Sequence, residues 1–282
     1  MHVPALLVGL SSTLTAAVSV ARGLSLLLSG RPRTPLRVLC ITAFDTLHVL
    51  RHGKRLPTSR LKLLAALLDF AACTNAVFDH KAGCRDERRA TRRLLDEAGI
   101  GSSVADYLRR LDDLESGRPL PGGDRCQFHE VRTYREAVVR LSLGMVATAA
   151  SGNRCLDEAV MATDGDGDLL FRIVMQCQII DDALDYSQDR AAGLPSFLTA
   201  CESLPQALEL TQIAARDYAD DRRVVRPADV FPLRAALFLV STCARLVVFL
   251  RRRTHRAQRG PRSVAMPGTP GTITVPLDEG GG

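Results

Sequence analysis

The chain is predicted to be all-α, and three observations carry that prediction. Apolar residues recur at helical spacing along nearly the whole sequence. No stretch alternates with a two-residue period between hairpin turns. Trp is absent and aromatic residues make up 5%, so a core must be assembled from Leu, Val and Ala, a mixture that favours helices over a sandwich of sheets. At 282 residues, 46% hydrophobic and 24% charged, the composition is that of an ordinary globular domain with enough apolar material for a sizeable core.

In chain order, a first helix is expected at 5–28, an apolar run rich in Ser and Leu that Gly30–Pro32 closes. It lacks the basic start of a signal peptide. As a membrane span it is weakened by Arg22 and by its Ser, Thr and Gly content. A buried or amphipathic helix is therefore expected, with peripheral membrane contact left open. A second helix, 34–52, ends at Gly53–Pro57, and a third, 57–82, ends before Gly83. Helices at 86–98 and 102–115 are parted by the break around Gly99. The loop Gly117–Gly123 precedes 129–150, which turns to small residues from Gly144 to Ala150. Gly152 separates that helix from 153–162. Asp164–Asp168 then leads into 167–190, with Asp168 as the N-cap and Asp166 favouring the positive helix end. Gly193–Pro195 precedes 204–220, and Pro227 opens 227–252. Residues 1–259 read as one helical domain, and 260–282, rich in Gly and Pro, read as a disordered tail.

The net charge of +6 comes largely from Arg85–Arg93, Arg222–Arg226 and Arg251–Arg259. No aromatic interleaving or nucleic-acid motif accompanies these clusters, so nucleic acid is not an expected partner. Anionic lipid and phosphorylated small molecules stay compatible with the charge. The eight cysteines are scattered, without a CxxC pair or a zinc spacing, and most sit in or beside apolar runs. They read as buried free thiols of a cytoplasmic protein. No Gly-x-Ser-x-Gly elbow and no Walker or dinucleotide phosphate loop occurs.

The most informative stretch is QIIDDALDYSQDRAAGLPSF, Gln178 to Phe197. On a helix Asp181, Asp185 and Asp189 form one stripe about 80° wide, with Gln178 inside it and Asp182 at its edge. Leu170, Ile173, Cys177, Ile180 and Leu184 fill the adjoining sector and read as core. Stacked carboxylates repel one another, and the helix C-terminus disfavours anions. A divalent cation relieves both penalties, and carboxylate oxygens suit Mg²⁺. A solvated acidic face at a helix end is the alternative.

The pattern Gln178-x-x-Asp181-Asp182-x-x-Asp185-x-x-x-Asp189-x-x-x-Gly193 resembles the second aspartate-rich motif of class I isoprenoid synthases. That superfamily includes the trans-prenyl diphosphate synthases, the squalene/phytoene synthases and the class I terpene synthases. The resemblance implies a single-domain helical bundle around a central apolar cavity, with two acidic helices holding Mg²⁺ and a substrate diphosphate at its mouth. Asp181, Asp182 and Asp185 would then be catalytic and metal-binding, Asp189 a further ligand and Gln178 substrate-binding. The partner helix would be 57–82, where Asn75-x-x-x-Asp79 looks like the first motif of the squalene/phytoene branch with Asn in the first place. Lys81, Arg85 and Arg190 are candidates to bind the diphosphate. The implied function is Mg²⁺-dependent ionisation of a prenyl diphosphate, for cyclisation or prenyl condensation. The expected partners are that substrate, a membrane surface at the periphery and a second copy of the chain. A non-catalytic prenyl-lipid-binding or regulatory member of the same fold, and a helical protein of the membrane surface, are the competing readings.

Overall fold

The computed structural model describes residues 41–42, 44–46, 48–49, 53–78, 85–151, 165–219 and 233–258. It is all-α. Within 41–49 the described positions are helical, and seven further helices follow: α1 (Thr58–Phe78), α2 (Arg85–Glu97), α3 (Gly101–Ser116), α4 (Arg125–Ser151), α5 (Gly165–Ala192), α6 (Leu204–Ala219) and α7 (Leu233–Gln258). Among the described residues the only β-type pairing is an isolated bridge between Gly123 and Cys201. The helices expected at 5–28 and 153–162 and the tail 260–282 lie outside the described residues.

The helix ends follow from local chemistry. Gly193 and Gly99 adopt positive φ of 64° and 77° directly after α5 and α2. At each end the glycine N–H donates to the carbonyl three residues back and the next N–H donates to the carbonyl five back. The pairs are Gly193 to Arg190 with Leu194 to Asp189, and Gly99 to Asp96 with Ile100 to Leu95. This is the Schellman arrangement, which a left-handed glycine permits at little steric cost. α4 begins earlier than its apolar pattern suggests, because the Asp124 carboxylate accepts from the backbone N–H groups of Cys126 and Gln127, at 2.8 and 3.2 Å. Gly165 is already helical, so Asp168 stands within α5 rather than at its cap. α7 runs six residues past its expected end and carries Arg251, Arg252 and Arg253 on the helix, where arginine is a good helix former and suits the negative terminus.

α4 is the central element and packs against α1, α3 and α5. α7 packs along α5 and α6, while α2 bridges α1 and α3. One apolar cluster joins them, with Leu64, Leu67 and Phe70 from α1, Val131 and Met145 from α4, Ile173 and Met175 from α5, and Ala244 and Val248 from α7. The cysteines only partly match the expectation of burial: Cys73 and Cys201 are buried, whereas Cys126 and Cys243 are exposed.

Between α5 and α6 the chain enters the core as irregular backbone, and residues 195–201 are all buried. Buried loops are uncommon because every backbone polar group then needs a partner. Here the partners are identifiable. The Gly122 and Gly123 N–H groups donate to the carbonyls of Thr199 and Ala200, and Glu202 N–H donates to Gly123. Thr211 donates its hydroxyl to the Phe197 carbonyl, at 3.2 Å. Phe197, fully buried, meets Phe128 of α4 at 5.8 Å between ring centres.

Candidate functional site

The aspartate helix divides its carboxylates between two environments. Asp182 is buried at 3% exposure. Its Oδ2 accepts the Phe197 backbone N–H at 2.7 Å, and its Oδ1 accepts from the Arg135 guanidinium at 3.1 Å. The same guanidinium donates to Gln178 Oε1 at 2.8 Å and to the Pro195 carbonyl at 2.9 Å. Gln178, Asp182 and Arg135 thus form one polar knot that ties α4, α5 and the buried loop together. Burial pushes the Asp182 carboxyl up to about 6, against the opposing pull of Arg135 and the Phe197 N–H. Burial outweighs a close ion pair here because Asp182 is almost wholly removed from water while Arg135 is shared among three acceptors.

Asp181 and Asp185 stand on the exposed side of α5, one turn apart. Asp189, one turn further, is partly buried; burial raises its carboxyl, with Arg135 and the Ser196 hydroxyl pulling the other way. Leu184, expected in the core, is 65% exposed. From Met175 onward α5 instead buries Met175, Gln176, Ile179, Asp182 and Ala183. Hydrophobicity alone favours the Ile180–Leu184 side, but the Arg135 knot draws the Asp182 side inward, and Asp181 and Asp185 are left facing out with Leu184. Cys177 lies beside Asp181, and its burial, reinforced by that carboxylate and by Cys243, pushes the thiol up to about 11. It is therefore a thiol at neutral pH and a poor nucleophile.

Of the other expected site residues, Asn75 belongs to α1 and Arg85 opens α2, while Asp79 and Lys81 lie outside the described residues. α4 lies against both α1 and α5, the two helices of the expectation. Arg190 is exposed and donates to the Tyr186 hydroxyl at 3.1 Å, on the side of α5 away from Asp181. Among the described residues no three His, Cys, Asp or Glu side chains gather as a metal-ligand set. The Mg²⁺ expectation has a partial chemical fit. Asp181 and Asp185 offer hard oxygen donors on one exposed face, whereas both oxygens of Asp182 are engaged by protein donors.

Arg135 was invisible to sequence reasoning. It is one arginine among many on its helix, and its partners lie 43 to 60 residues downstream. The flanking polar ties have the same non-local character. Tyr134 donates to Glu115 at 2.6 Å, and Tyr218 donates to Glu136 at 2.7 Å. Arg132 contacts both Glu136 and Asp217.

No family model, curated protein or solved structure matches this chain. No helix among the described residues is long and apolar enough to cross a membrane.

Proposed function

We propose that the chain is a Mg²⁺-dependent enzyme of the class I isoprenoid type that ionises a prenyl diphosphate. One observation carries this reading: Asp181 and Asp185 stand together on the exposed side of α5 while Asp182 and Gln178, in the same motif, anchor that helix from within. Asp181 and Asp185 would hold the cation together with water and substrate oxygens, and Asp182 would act as a positioning residue. When bound, Mg²⁺ supplies Lewis-acid neutralisation of the leaving diphosphate. The chain's own part is to hold the carboxylates in register through the Arg135 knot and to offer apolar surface next to them, of which Leu184 is the exposed example.

The test is incubation of the full chain with geranyl, farnesyl and geranylgeranyl diphosphates, with and without Mg²⁺, following pyrophosphate release. Mg²⁺-dependent release from at least one substrate is expected, and Asp185→Ala should abolish it without changing the unfolding midpoint. Binding of a prenyl diphosphate without release would make the protein a non-catalytic binder, and no release with no binding would remove the reading.

A second reading is favoured by α7. Phe238, Leu239, Leu246, Phe249 and Leu250 form an exposed apolar face along it. The helix has no acidic residue, and Arg252 and Arg253 stand at its C-terminal end. Such a face suits the interface of an anionic bilayer, where apolar side chains insert and arginines meet headgroups. Co-sedimentation with anionic but not neutral liposomes, reduced by Phe249→Ser with Leu250→Ser, is the expected result; equal recovery with both lipids would overturn it.

A further inference from the structure

α5, α6 and α7 meet around a cleft of about 640 Å³. It opens on the far side of α5 from the acidic stripe. Arg190 is nine residues on from Asp181, which at about 100° per residue places it about 180° around the helix. Tyr186, Ser187 and Arg190 line the cleft from α5, Ser203 stands just before α6, and Arg251 and His255 come from the last turns of α7.

The chemistry of the lining is cationic and donor-rich. Arg190 donates to the Tyr186 hydroxyl. Arg251 donates to Ser187 Oγ at 3.5 Å and lies 5.4 Å from the centre of the Tyr186 ring. Among the described residues neither guanidinium has a carboxylate in ion-pair contact. Nε2 of His255 is buried without a hydrogen-bond partner. The N-terminus of α6 starts at the same wall, with no acidic residue in its first turn, and the N–H groups of Leu204 and Gln206 stand there on either side of Pro205, which has none. Among the described residues the exposed Glu202 is the one carboxylate of the lining, against two guanidiniums. Planar guanidiniums, hydroxyl donors and a helix N-terminus facing one space are the elements of phosphate recognition.

We propose that this cleft binds a phosphate group, either free phosphate or diphosphate or the phosphorylated end of a larger molecule. The site needs no divalent cation, because side chains supply its positive charge. It is therefore separate from the acidic stripe and does not rest on the prenyl diphosphate reading.

The experiment is calorimetric titration of the full chain at low salt with inorganic phosphate and with pyrophosphate, in the presence of EDTA. Saturable binding is expected. It should be weakened about tenfold or more in Arg251→Gln and further in Arg251→Gln with Arg190→Gln, since each loses a charge-assisted donor. Co-sedimentation with vesicles containing phosphatidic acid distinguishes the sources. Vesicle binding lost in the double variant identifies a lipid headgroup, and free-anion binding without vesicle binding identifies a soluble ligand; both support the site. Absence of saturable binding to either anion would overturn the proposal. So would equal affinity in the double variant at an unchanged unfolding midpoint. Binding that appears only when Mg²⁺ replaces EDTA would also overturn it, because the anion would then belong to the acidic stripe.

Discussion

Arg135, itself half-buried, holds three acceptors at once, and two of them, Asp182 and Pro195, are buried. Removing the guanidinium would leave an ionised carboxylate in the core with only the Phe197 N–H for company. Arg135→Ala is therefore expected to cost about 3–5 kcal/mol in urea unfolding. The double variant with Asp182→Ala should cost less than the two single costs added, since no uncompensated charge is left; strict additivity would count against the knot. Asp182 also makes a pH prediction. Its carboxyl is raised to about 6 in the fold, above its usual value near 4 in an unfolded chain. Its contribution to stability is thus fully present below pH ~4 and is lost as pH rises through ~6. The stability of the wild type relative to Asp182→Asn should fall across that window, by about 3 kcal/mol at most. A difference that stays flat or grows with pH would contradict the assignment. The alternating Asp and Gln residues were legible as a helical stripe, but which of them turns inward was not. That depends on an arginine whose side chain meets them only after α4 and α5 have docked.

Among the elements, α5 has the most to explain, because its first half is buried nearly all round and its second half is acidic on one side. The Schellman end at Gly193 aims the chain back into the core, so that Pro195 to Cys201 can be buried. A Cβ at Gly193 would meet no atom within 4 Å, so Gly193→Ala is costly only through its left-handed backbone. A loss of about 1–2 kcal/mol in a thermal or urea melt is expected. A neutral result would mean that the chain can leave α5 by another route. Helix ends governed by Gly, such as those at Gly99 and Gly193, were readable from sequence because their chemistry is local, whereas the Asp124 cap that starts α4 was missed. The end of α7 was misplaced by six residues because arginines on a helix face and arginines beyond a helix look alike in sequence.

At the scale of the whole molecule, the buried segment after α5 works as a keystone. Phe197 packs on Phe128 of α4, accepts from Thr211 of α6 and donates to Asp182 of α5, so one residue joins three helices. Phe197→Ala should cost about 3–5 kcal/mol and lower the midpoint of a single cooperative transition. A second, separate transition would show that the helices do not share one core. The sequence by itself determined that the protein is helical, where glycine and proline interrupt it, and that Asp181, Asp185 and Asp189 share a stripe. All of these rest on periodicity and local backbone preference. Only the tertiary structure decided that Asp182 and Gln178 serve the core through Arg135, that Asp181 and Asp185 face outward, and that Arg190, Arg251 and His255 line one cleft. Those outcomes depend on which helix faces meet, and that choice is made by contacts between residues far apart in the chain.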